Sequence, residues 1–141
     1  MKSFASASRR VVLIDTGPLV AAIDRSDRNH KWACRVLPQL VGPTRTCEAV
    51  IAEALHLLDN SPQAIIALRR ILSRVEIVPV LHQHFEAVFL AVEAFAPRMD
   101  LADSCLVALS ARYADSVVVT TDTRDFSTYR IPFASPAGLF A

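Results

Sequence analysis

Val11-Val12-Leu13-Ile14-Asp15-Thr16-Gly17-Pro18 is the stretch whose reading decides the fold. Four consecutive aliphatic residues without a polar interruption suit a strand covered on both faces, and Asp-Thr-Gly-Pro ends the run in a turn that feeds a helix. Reading outward, 19–23 continues as a short helix, 24–28 is a charged loop, and Asn29 caps a second helix that ends near Leu37, before Pro38. A short second strand is expected within 41–47. The almost wholly apolar segment 49–58 predicts a buried helix closed by Asp59-Asn60-Ser61-Pro62. Ser61 and Pro62 open a further helix to Ser73, with Arg69, Arg70 and Arg74 on its outer side.

A third strand over 75–80 carries Pro79 near its end, which marks a sheet edge. Two helices follow, 82–96 with Phe85, Val88, Phe89, Val92 and Phe95 at helical spacing, and 101–113. Ser116-Val117-Val118-Val119-Thr120-Thr121 is the clearest strand, and 126–131 is expected to add a last short one. Strands alternating with helices predict an α/β, three-layer α/β/α fold around a mainly parallel sheet of four to five strands. The expected organisation is one domain over 1–141, with a polar leader at 1–10 and a tail at 132–141.

Composition bounds the function. With 141 residues, 52% of them hydrophobic, the chain can bury one substantial core, which excludes disorder as its main state. Fifteen basic residues against 14 acidic ones provide no global attraction to nucleic acid or membrane. Cys34, Cys47 and Cys105 lack CxxC spacing and sit among apolar neighbours, so reduced, buried thiols and a cytoplasmic location are expected. No run of about 18 apolar residues is present to span a membrane.

Acids interrupting apolar sequence carry the chemistry. Asp15 closes the first strand, Glu53 is the only charge between Glu48 and Asp59, Asp103 the only one between Asp100 and Arg112, and Asp122 follows the Val117–Val119 run. An ionised carboxylate buried alone costs several kcal/mol even after relaxation, so such groups are normally paired, protonated or cation-bound. In an open parallel sheet, ligands gather beyond the carboxyl ends of the strands, where Asp15 and Asp122 fall. Asp100 and Asp103 share a side of one helical turn, and Glu53 can reach the same rim. No basic residue recurs beside them within their segments, which leaves a cation as counter-charge. All-oxygen donors suit Mg²⁺ or Mn²⁺; zinc would call for the His or Cys that His30, His56, His82 and His84 do not cluster to supply.

Four ordered segments carry a family resemblance: residues 11–19, Thr46-Cys47-Glu48-Ala49-Val50-Ile51-Ala52-Glu53, Met99-Asp100-Leu101-Ala102-Asp103-Ser104 and Thr120-Thr121-Asp122-Thr123-Arg124-Asp125-Phe126. Together they resemble the PIN domain, in particular the VapC-type ribonucleases of type II toxin–antitoxin pairs, over nearly the whole chain. The resemblance implies that Asp15, Glu53, Asp103 and Asp122 are the catalytic acids holding Mg²⁺ or Mn²⁺. It implies supporting roles for Asp100, Asp125 and Thr120, whose hydroxyl would orient a water or a carboxylate. Glu48, five residues before Glu53, faces another direction and takes a structural or rim role. Arg25, Arg28, Lys31 and Arg124 are the candidates for RNA contact, and each is also readable as ordinary solvated charge. The implied partners are an RNA substrate, a cognate antitoxin and a second copy of the chain, with the Phe85 helix as a dimer surface or, more simply, core packing. Two other readings stand beside toxin action: a PIN nuclease of RNA processing, and a non-catalytic protein- or RNA-binding module. An aspartyl phosphatase is disfavoured, because Gly17 stands where a second acid is needed.

Overall fold

The structure, a computed structural model, describes residues 10–140. Its elements run β1 (Val11–Ile14), α1 (Thr16–Ile23), α2 (His30–Val36), β2 (Thr44–Thr46), α3 (Glu48–Leu57), α4 (Pro62–Leu72), β3 (Glu76–Ile77), α5 (Leu81–Ala94), α6 (Leu101–Arg112), β4 (Ser116–Val119), α7 (Thr123–Tyr129), β5 (Phe133–Ser135) and β6 (Gly138–Phe140). They form one six-stranded sheet of order β3-β2-β1-β4-β5-β6, parallel except for β6, which returns antiparallel on β5. The fold is thus α/β with a mostly parallel sheet, as expected, but with six strands rather than four to five.

The central pair sets the frame. β1 and β4 pair along their full length, from Val11 opposite Ser116 to Ile14 opposite Val119. Leu13 and Val118 are fully buried, and Ile14, Val117 and Val119 nearly so, as the absence of polar alternation requires of a strand covered on both faces. Leu106 and Leu109 of α6 and Phe126 of α7 complete this core. Ser104 Oγ donates to the Val88 carbonyl at 2.7 Å, tying α6 to α5.

Several expectations are corrected. Residues 126–131 are not a strand: Asp122 caps α7, accepting from the Asp125 amide at 2.9 Å, and Arg130 in the left-handed region (φ 59°) ends the helix. The last strands instead lie in the segment read as a tail, where Phe133 and Ala134 pair with Val118 and Val119. β2 lies within 41–47 as expected, whereas β3 is shorter than 75–80, although it is an edge as Pro79 suggested. α3 is only partly buried: Val50 and Ala54 face the core while Leu57 is exposed. Of the thiols, Cys47 and Cys105 are buried but Cys34 is exposed. The leader at 1–9 lies outside the described residues. Among those described, no helix is long and apolar enough to cross a membrane.

Gly17, at the second position of α1, presses on the loop after β4. A Cβ there would collide with Thr121 Oγ1 and lie 3.0 Å from Thr121 Cβ and 3.2 Å from its Cγ2, so rotating the Thr121 side chain still leaves the tight contact with its Cβ. Ala gains about 1 kcal/mol of helix propensity over Gly, whereas overpacking costs about 1–3 kcal/mol. Gly17→Ala is therefore expected to destabilise the protein by up to about 2 kcal/mol net. Urea denaturation checks it, and a raised midpoint would contradict the close approach.

Candidate active site

Strand register builds the site. Because Ile14 pairs with Val119, the next residues, Asp15 and Thr120, emerge side by side at the carboxyl end of the sheet. This is where the strand order reverses between β1 and β4, the usual position of a ligand crevice in an open α/β sheet. The Asp15 amide donates to the Val119 carbonyl at 3.0 Å. Its carboxylate is buried: Oδ1 accepts from the Thr16 amide at 2.8 Å, which caps α1, and Oδ2 accepts from Thr120 Oγ1 at 2.6 Å.

The neighbouring acids are reached through the same hydroxyls. Thr16 Oγ1 donates to Glu53 Oε2 at 2.7 Å, joining α1 to the half-buried acid of α3. Thr120 Oγ1 also accepts from the Asp122 amide at 3.0 Å, fixing the turn that carries the exposed Asp122. On the far side of the rim, Asp100 caps α6 by accepting from the Asp103 amide at 2.8 Å, and buried Asp103 accepts from Tyr129 Oη at 2.7 Å.

Burial is the largest influence on both buried acids, and it outweighs their hydrogen bonds. It pushes Asp15 up to about 7, with Glu53 and Asp100 adding repulsion. It pushes Asp103 up to about 8, with repulsion from Asp15, Asp100 and Asp122. That mutual repulsion places the five carboxylates in one electrostatic neighbourhood. Asp125 at the rim is also raised, by burial and by Asp122.

Among the described residues, none of Asp15, Glu53, Asp100, Asp103 and Asp122 is in an ion pair. Arg98 stands beside the rim, 3.4 Å from Asp125. No three His, Cys, Asp or Glu side chains among the described residues converge tightly enough to chelate an ion as they stand. The donor set nevertheless fits Mg²⁺ or Mn²⁺: it is all oxygen, and two of its buried members carry no cationic partner.

The remaining candidates lie elsewhere. Glu48 is exposed and lines a cavity of about 320 Å³ with Cys47, His82 and Cys105. Arg25 and Arg28 are exposed between α1 and α2, Lys31 is exposed on α2, and Arg124 is exposed on α7. Sequence reasoning missed Thr16 and Tyr129. The first was read only as part of a turn, and the second fell in the segment read as strand, although its spacing from Phe126 suits one helix face.

Comparisons with known proteins agree with this architecture. No curated protein sequence matches the chain. Among solved structures, the VapC20 toxin of Mycobacterium tuberculosis, described as cleaving the sarcin–ricin loop, has a TM-score of 0.74 at 19% identity over 85% of this chain and 95% of that one. A toxin–antitoxin complex from Klebsiella pneumoniae has a TM-score of 0.61 at 17% identity, covering 82% and 90%. The PIN domain endonuclease Utp24 has a TM-score of 0.50 at 20% identity, covering 89% and 84%. These likenesses are of fold. The PIN domain family profile matches residues 12–132, from β1 to the residue before β5, and the chain belongs to the PIN domain family.

Proposed function

We propose that this protein is a divalent-metal-dependent endoribonuclease, acting as the toxin of a type II toxin–antitoxin pair, with Asp15, Glu53, Asp103 and Asp122 as its acidic site. The observation that carries this reading is the pair of buried carboxylates, Asp15 and Asp103, pushed far above the usual range with no cationic side chain to offset them. Carboxylates so placed await a cation. PIN membership, the toxins among the structural neighbours and the all-oxygen donor set support an Mg²⁺ or Mn²⁺ nuclease. Likeness to Utp24 keeps a second reading open, a PIN nuclease of RNA processing with the same site.

Asp15 and Asp103, with Glu53 and Asp122 flanking them, would hold the ion. When bound, Mg²⁺ or Mn²⁺ supplies an activated water and neutralises charge on the phosphodiester as its bond to the 3′ oxygen breaks. The residues of the chain do the rest. Thr120 and Thr16 fix Asp15 and Glu53 in place, so the acids meet the ion without reordering. Asp100 anchors the first turn of α6 and so the backbone of Asp103. Arg98 and Arg124 stand near enough to Asp125 to offset part of the rise that burial and Asp122 cause, and offer positive charge to an RNA phosphate at that edge. An antitoxin is the proposed partner, and homodimerisation is proposed through α5. There Val88, Val92 and Phe95 pack inward, while Phe85 and Phe89 stack 4.7 Å apart on an exposed face beside Leu90.

Two outcomes test the site. Cleavage of a mixed RNA substrate is expected only with added Mg²⁺ or Mn²⁺ and is expected to fall at least about a hundredfold in folded Asp103→Asn, the scale of losing a charged group from a catalytic site; a variant that cuts like wild type would sink the assignment. The second concerns pH. With folded pKa values above the unfolded 3.8, Asp15 and Asp103 keep their protons in the native state while the unfolded chain loses them. Metal-free stability is therefore greatest at low pH and declines as pH rises from about 4 to about 8, by on the order of 1 kcal/mol per unit for each of the two acids. Denaturation midpoints in EDTA across that range should fall, and Mn²⁺ should restore them at pH 8; a stability that rises with pH would show that the acids are offset by something else.

A further inference from the structure

Asp15, Glu53 and Asp103 each have one hydroxyl brace, and the one on Asp103 comes from the far end of a different helix. Tyr129 is the last residue of α7, whose N-cap is Asp122, so one seven-residue helix carries a candidate ligand at its start and the brace of another at its end. The ring has little freedom. It is buried, and it meets Phe95 and Phe126 edge to face, with centroids 5.3 Å and 5.2 Å away. Its hydroxyl is thereby aimed at Asp103 Oδ2 at 2.7 Å. Among the described residues, Tyr129 is the only side chain that hydrogen-bonds the Asp103 carboxylate.

We propose that Tyr129 is a positioning residue for the metal site: by donating to Asp103 Oδ2 it fixes the carboxylate plane and leaves Oδ1 for the cation. This rests on the metal-dependent reading above. It extends that reading, because the Tyr129 hydroxyl couples Asp103 on α6 to α7, the helix that Asp122 caps. Partners that orient a metal ligand typically account for about 10- to 100-fold in affinity. The phenol also makes the Asp103 position depend on α7 packing, so α7 sets both Asp122 and Asp103 at once.

Tyr129→Phe removes the hydroxyl and keeps the ring between Phe95 and Phe126. The experiment is Mn²⁺ titration of the full chain, followed by loss of the free-ion paramagnetic resonance signal, for wild type, Tyr129→Phe and Asp103→Asn. Circular dichroism and metal-free melting are recorded for each. The expected result is a Kd at least about tenfold higher in a normally folded Tyr129→Phe protein. An unchanged Kd overturns the proposal. A Tyr129→Phe protein that fails to fold also overturns it, by assigning the hydroxyl to stability. Wild type that binds no Mn²⁺, or Asp103→Asn that binds it like wild type, removes the metal reading itself, and the Tyr129 role goes with it.

Discussion

The structure depends on keeping one carboxylate, that of Asp15, out of water at the end of the central strand. Left alone there, an ionised carboxylate would cost several kcal/mol. Hydrogen bonds from the Thr16 amide and the Thr120 hydroxyl reduce that cost without removing it, and the raised pKa is what remains. A carboxylate retained against the stability of the fold is the ground on which Asp15 is proposed as a metal ligand.

The topology makes that placement almost unavoidable. Parallel pairing of β1 with β4 in full register sends Asp15 and Thr120 out together, and the reversal of strand order opens a crevice above them. α3, α6 and α7 then bring the other acids to the crevice at different depths. Glu53 is half-buried behind Thr16, Asp103 is buried under Tyr129, and Asp122 is exposed as a helix cap. This graded exposure suits the proposed site, with a cation inside and a polyanion approaching from outside.

Much of this was legible in the sequence. The runs at 11–14 and 116–119 lack polar alternation, so both read as buried central strands, and acids that break apolar stretches stand out because burying charge is costly. What escaped depends on pairing rather than on local pattern. Phe133-Ala134-Ser135 is too short to read as a strand until Val118 and Val119 are seen beside it. Phe126 to Ile131 mixes aromatic, hydroxyl and β-branched residues that suit a strand locally, and the capping pattern of Asp122 and Asp125 outweighs that preference. Tyr129 and Thr16 matter only through partners 26 and 37 residues away, a relation that no local spacing encodes. Arg98 likewise meets Asp125 only in the folded chain.

The most direct measurement is crystallographic: diffraction at the manganese edge from crystals of the full chain grown in Mn²⁺ near pH 8. An anomalous peak within ligand distance of the Asp15 and Asp103 carboxylates, about 2.0–2.4 Å, is the result this account predicts. A well-ordered rim with no peak there, with Asp15 still held by Thr16 and Thr120 and Asp103 by Tyr129 as in the metal-free protein, would contradict it.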